Sequence, residues 1–151
     1  MGRCIGRYGR SLDDKGRVTL PSKLRRALLS AEAKSVVVLP GHEGCLYVYP
    51  VELFIRESDT LSGGSVASRP QRELRRTMAM DATEQDVDSQ GRILLSDELR
   101  DYAGVARGGH VIFLGVMNFV EIWSLDRYRE RVEPLRGRID ELTDKIHEEE
   151  K

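Results

Sequence analysis

The stretch DDKGRVTLPSKLR, residues 13–25, returns seventy-five residues later as DSQGRILLSDELR, residues 88–100. The correspondence runs well past this phrase. At the same offset Gly16 and Arg17 match Gly91 and Arg92, Leu20 matches Leu95, Leu24 and Arg25 match Leu99 and Arg100, and Val36, Val37 and Leu39 match Val111, Ile112 and Leu114. One deletion then shifts the offset to 74, where Val48, Tyr49, Val51, Glu52 and Phe54 match Ile122, Trp123, Leu125, Asp126 and Tyr128. Matching over such a span makes the chain a tandem of two homologous units, too few for a solenoid. The units are expected to pack on each other as a pseudo-symmetric pair.

Each unit reads as β-hairpin, helix, β-hairpin, helix. A short strand (8–12 and 83–87) enters a polar turn (13–16 and 88–91), where Gly16 or Gly91 supplies the permissive backbone of a tight reversal, and a second strand returns from it. Pro21 with Ser22, or Ser96 with Asp97, then opens a short helix carrying Leu24 and Leu28, or Leu99 and Tyr102. Residues 36–39 and 111–114 are apolar strands, residues 46–49 and 120–123 are their partners, and Val51 and Leu125 begin the closing helices. The organisation expected is a first repeat over 1–58, a linker with a basic helix over 59–80, a second repeat over 81–130 and a charged C-terminal tail over 131–151. In the linker, DTLSGGSVAS reads as an exposed loop, while the stretch after Pro70 holds helix formers and Arg69, Arg72, Arg75 and Arg76. In the tail, Leu135, Ile139, Leu142 and Ile146 recur at helical spacing, so an amphipathic helix is expected to cover the domain or pack on a neighbouring subunit.

Composition limits the class of protein. At 151 residues a chain can bury about two-thirds of its unfolded surface and needs no disulfide or metal staple. With 40% hydrophobic and 32% charged residues it is neither disordered nor membranous, and its longest nearly apolar run, 111–120, is too short to span a bilayer. The opening MGRCIGRYGR has no apolar stretch and is not expected to be a secretory signal, which places the chain in the cytoplasm. Its two cysteines, Cys4 and Cys45, are expected to be thiols. The net charge of -1 conceals an uneven distribution. Residues 1–29 hold eight basic side chains against two acids, and residues 81–101 hold two against seven. Such asymmetry can steer one face to a polyanion.

The frame G-x-Y-x-x-x-L-D-x-K-G-R over 6–17, the following VTLP, the hairpin GCLYVYP, and the second D-x-x-G-R with ILL together resemble the MraZ family, built from two repeats of the SpoVT-AbrB type. The resemblance covers about residues 6–128. It implies an α+β fold in which the repeats exchange hairpins in a double-split β-barrel, a ring-shaped homo-oligomer, and transcriptional regulation. It further implies recognition of short repeated boxes in double-stranded DNA upstream of a bacterial cell-division and cell-wall gene cluster, with association to the nucleoid. Ser96 stands where the family usually has a proline and is expected to cap its helix.

The chemistry of the repeated phrase agrees. A glycine turn lets the following arginine project from a hairpin, where its planar fork can bind a phosphate or the O6/N7 edge of guanine. Arg17 is the leading candidate DNA contact, supported by Lys15, Arg7 and Arg10, with Arg92 as a weaker counterpart in its acidic setting. Asp13 and Asp88, with Gly16 and Gly91, are expected to set the turn geometry. The alternative is that each Asp and Arg form an intrachain ion pair that only fixes its turn; the two readings are compatible. Trp123 and Tyr49 are expected in packing, Cys45 in the core, and Lys23, Arg25, Arg26 and the 69–76 arginines on solvated helix faces. His42, Cys45, Cys4 and His110 lack the paired short spacing of a zinc site. No phosphate-cradling loop or nucleophile elbow is present, so neither an enzyme, a cofactor nor a small-molecule substrate is expected. The competing function is an antitoxin-like module of the AbrB fold that binds another protein.

Overall fold

The computed structural model describes residues 3–62 and 66–150. Among the described residues the eight strands are β1 (Arg7–Ser11), β2 (Arg17–Thr19), β3 (Ser35–Pro40), β4 (Leu46–Pro50), β5 (Thr83–Asp86), β6 (Arg92–Leu94), β7 (His110–Gly115) and β8 (Val120–Ser124). Neither repeat keeps its first hairpin to itself. β1 leaves its own repeat to pair with β7, and β5 pairs in the same way with β3, giving a six-stranded antiparallel sheet in the order β1-β7-β8-β4-β3-β5. The second strands of the two hairpins, β2 and β6, form a separate antiparallel ribbon.

The register shows that the exchange is symmetric. Val18 pairs with Ile93 at the ribbon centre and Tyr47 pairs with Glu121 where β4 meets β8. Both are pairs of equivalent residues, so a pseudo-two-fold axis runs through the two points. The same operation carries the pairing of Tyr8 with Phe113 onto that of Thr83 with Val38. Among the described residues no backbone ladder joins the ribbon to an edge of the sheet, so the pairing is an open sheet plus a ribbon. One side-chain seam crosses that gap. The Gln85 amide on β5 accepts from Leu94 N at 2.7 Å and donates to Leu94 O at 2.9 Å, which closes the outward bonds of β6. Its equivalent in the first repeat, Arg10, cannot accept and instead donates to Gly9 O at 2.8 Å.

Strand alternation builds two cores from one sheet. Val36, Val38, Leu46, Val48, Val111, Phe113, Val120 and Ile122 face the ribbon, where Val18, Leu20, Ile93 and Leu95 complete the inner core. Two short helices seal this layer, α1 (Ser22–Leu28) through Leu24, Ala27 and Leu28, and α4 (Asp97–Ala103) through Leu99 and Ala103. Ser96 caps α4, accepting from Leu99 N at 3.3 Å, as expected. Tyr102 does not join the core: it is 39% exposed and donates its hydroxyl to Gly41 O, while Ala103 takes the buried position. The other face packs Val37, Leu39, Tyr47, Tyr49, Trp123 and Tyr128 into an outer core, against which α2 (Val51–Ser62) sets Leu53 and Phe54 and α3 (Arg69–Ala79) sets Met78. Cys4 lies in the inner core and Cys45 in the outer one.

Two expectations about the connecting segments are corrected. The Ser/Gly-rich start of the linker is helical, because α2 continues through Ser62 across the expected boundary at residue 58; residues 63–65 lie outside the described residues. Leu53 and Phe54 anchor α2 on the outer core, and a helix held by tertiary packing propagates through residues that favour loops in isolation. The basic helix α3 forms as expected, with Ser68 and Gln71 closing a capping box at its start. The tail is not one helix lying over the domain. After α5 (Leu125–Arg127) come a π turn (Tyr128–Val132), a 3-10 turn (Glu133–Leu135) and Gly137 in the left-handed region at φ 78, before α6 (Ile139–Glu149). Its apolar stripe is uncovered, with Ile139 76% and Ile146 55% exposed.

Candidate nucleic-acid interface

Each Asp turn is closed by the same set of bonds. Asp13 Oδ1 accepts from the amides of Lys15 at 2.9 Å and Arg17 at 2.8 Å, and Oδ2 accepts from Arg17 Nε at 2.8 Å. The backbone closes around it through Asp13 N to Arg17 O at 2.8 Å and Gly16 N to Asp13 O at 3.2 Å. In the second copy Asp88 takes the amides of Gln90 at 2.9 Å and Arg92 at 2.8 Å and the Arg92 Nε at 2.8 Å. Gly16 at φ +84 and Gly91 at φ +79 occupy the backbone region that a side chain would strain. The Arg17 amide, joined by its guanidinium and the Lys15 amide, holds the Asp13 carboxyl below the usual carboxylate range. The corresponding amides and guanidinium do the same for Asp88.

The intrachain ion pairs weighed from sequence are therefore present in both copies. Among the described residues neither arginine has a hydrogen bond at its Nη groups. A carboxylate held at Nε leaves those two groups available as a fork of the kind that can bind phosphate or guanine. Both side chains remain partly accessible, Arg17 at 33% and Arg92 at 26%.

The ribbon brings the two arginines together. Arg17 lies opposite Leu94 and Arg92 opposite Thr19, while Val18 and Ile93 between them point into the core. The outer face therefore carries Arg17, Thr19, Arg92 and Leu94, with the two arginines as diagonal neighbours about the pseudo-two-fold axis, within reach of each other's long side chains. Lys15 is exposed at the tip of the first turn. Arg10 is half-buried at the sheet edge, and Arg7 stands apart. Six residues of extended chain, about 20 Å, separate Arg7 from Asp13. Its guanidinium donates to Tyr128 Oη at 2.6 Å and Glu133 Oε2 at 3.1 Å, tying β1 to the C-terminal turns.

Sequence reasoning missed two arginines beside the turns. Arg100 is buried at 6% exposure, donates to Leu95 O and Asp97, and lies over Gly16. Arg25, its equivalent, is half-buried and lies over Gly91, rather than on a solvated helix face. The signal available was their match at the 75-residue offset within the helical continuation of the phrase.

Comparison with known proteins agrees with this organisation. The family model described as "MraZ protein, putative antitoxin-like" matches twice, over residues 5–77 and 78–139. A protein named Transcriptional regulator MraZ from Finegoldia magna is 32% identical over 144 residues, covering 95% of this chain and 96% of its own length. Its namesake from Nocardioides sp. is 38% identical over 126 residues, 83% of each chain, and that from Symbiobacterium thermophilum is 34% identical over 142 residues, 94% of this chain and 99% of its own. With a doubled Asp turn, strands exchanged between two repeats, and a family match over most of its length, the chain belongs to the MraZ family.

Proposed function

We propose that this chain is a sequence-specific DNA-binding transcriptional regulator whose reading surface is the outer face of the β2–β6 ribbon. One observation carries the proposal: Arg17 and Arg92, each held at Nε by its own aspartate, are diagonal neighbours on one face about a pseudo-two-fold axis. Such forks are preorganised, so little rotamer entropy is lost when they engage a base edge or phosphate. Lys15 adds a cation at the turn tip. Arg10 and Arg7 are assigned to the flank, where they would meet phosphates only if the DNA extends along β1. In this reading the sheet and ribbon, stitched by Gln85, are the two parts of a double-split barrel.

The names of the relatives support transcriptional regulation, and the family resemblance supports an operator of short repeated boxes upstream of a cell-division and cell-wall gene cluster. Repeated boxes suit a ring of subunits, because each further contact is made at high effective concentration. The uncovered α6 stripe is a surface such a ring would bury. A DNA partner would place the protein at the nucleoid. The test is a footprint on the DNA upstream of the protein's own coding region, repeated across a salt series. Affinity should fall with a log-log slope of about -0.9 for each phosphate neutralised. Absence of a footprint, with capture of a small protein instead, would favour the antitoxin-like reading.

A further inference from the structure

The two glycine turns are roofed in trans. On leaving β2 the chain crosses the ribbon, and Leu20 N bonds Gly91 O at 2.8 Å; on leaving β6 it makes the reciprocal bond from Leu95 N to Gly16 O at 2.9 Å. Each helix therefore starts above the turn of the other repeat. From α1, Arg25 reaches back so that its guanidinium occupies the space where a Cβ on Gly91 would lie, and from α4, Arg100 does the same at Gly16. Both glycines are buried beneath these groups.

The geometry points to Arg25 and Arg100 as positioning residues for DNA reading, each fixing the turn that belongs to the opposite repeat. A buried guanidinium is costly unless fully bonded; Arg100 bears that cost, while the half-buried Arg25 keeps part of its hydration. Arg100 is neutralised locally by Asp97 and bonds Leu95 O, so it acts as a rigid lid on the turn of Asp13 and Arg17. The residue equivalent to Asp97 is Ser22, and among the described residues Arg25 forms no ion pair. Arg25 therefore leaves a net positive charge over the turn of Asp88 and Arg92, whose tip residues, Ser89 and Gln90, are uncharged. The acidic second repeat borrows its cation from the basic first one. Neither turn is fully ordered unless both repeats are folded, which couples the two readers.

The inference concerns the turns themselves, and its DNA consequence rests on the proposed function, so two readouts on the full-length chain separate them. Residue-resolved native-state hydrogen exchange needs no DNA. Arg25→Ala should speed exchange of the Gln90 and Arg92 amides by about tenfold while leaving Lys15 and Arg17 unchanged. Arg100→Lys, chosen because truncating a buried arginine to alanine could unfold the chain, should do the reverse. Acceleration in the same repeat's turn, in both turns alike or in neither overturns the clasp. On operator DNA, the losses from Arg25→Ala and Arg92→Ala should fall short of multiplying by at least about threefold, whereas those from Arg25→Ala and Arg17→Ala should multiply. Multiplication for both pairs would make Arg25 an independent phosphate contact and refute its positioning role. If the unaltered protein binds no DNA, the proposed function fails while hydrogen exchange still decides the clasp.

Discussion

Alanine at three glycines of positive φ should rank in an order set by what lies above each one. Gly108, at φ +73, has nothing within 4 Å of an added Cβ, so Gly108→Ala measures the backbone penalty alone, about 1–2 kcal/mol. At Gly91 the three atoms nearest the added Cβ all belong to the Arg25 side chain, which is half-buried, forms no ion pair among the described residues and can swing outward. Gly91→Ala should therefore cost little more than Gly108→Ala. At Gly16 the atom meets the Arg100 guanidinium and lies 3.0 Å from Leu95 O, a backbone atom that cannot rotate away. Displacing Arg100 from Leu95 O and Asp97 strands a charge whose side chain is only 8% exposed. Stranding a buried charge costs several kcal/mol, so Gly16→Ala should lose about 3–5 kcal/mol in all. For a chain of this size each kcal/mol moves the melting temperature by about 2–4 °C. Gly16→Ala should thus melt about 6–20 °C below the unaltered protein, against about 2–8 °C for Gly108→Ala, by circular dichroism at matched protein concentration. Equal shifts at Gly16 and Gly108 would show that Arg100 does not hold the turn.

Acid should loosen both turns together. Asp13 and Asp88 sit below their ordinary value of 3.8 in the folded chain, so their contribution is complete above about pH 5 and is lost as pH falls through the lowered folded values. The melting temperature of the Asp13→Asn, Asp88→Asn double variant should fall less steeply between pH 5 and pH 2 than that of the parent; parallel curves would contradict the assignment. Removing residues 139–151 should leave the monomer's melting transition almost unmoved, because α6 has no buried residue, but should lower the native mass in light scattering. An unchanged native mass would free α6 from any part in assembly.

Much of the architecture was legible because duplication is a sequence-level fact. Every strand of the repeat unit, the turn glycines and the starts of α2 and α5 follow from period and punctuation. What stayed hidden is long-range. Nothing local in residues 20–25 says that the chain will cross the ribbon and set Arg25 on the other repeat's turn; by helix-face reasoning Arg25 is simply a solvated cation. Charge summed along the sequence leaves out what the fold brings together. Arg17 lies in a basic segment and Arg92 in an acidic one, yet the ribbon makes them diagonal neighbours, with Arg25 contributed across the axis, so we propose that they contribute comparably. The Ser/Gly-rich linker hid the last turn of α2, whose helicity is decided by Leu53 and Phe54 on the sheet. In the tail the helical spacing from Leu135 to Ile146 runs through Gly137, whose positive φ breaks the helix.

The central claim is that both turns present their arginines to DNA from one ribbon face. It is tested most directly by measuring operator affinity for Arg17→Ala and Arg92→Ala at one salt concentration, after thermal melts show both variants folded. Each should lose about 1–3 kcal/mol, the range for one fork on a base edge, and the two losses should be comparable. Affinity unchanged in both variants would mean that the ribbon face is not the DNA-reading surface.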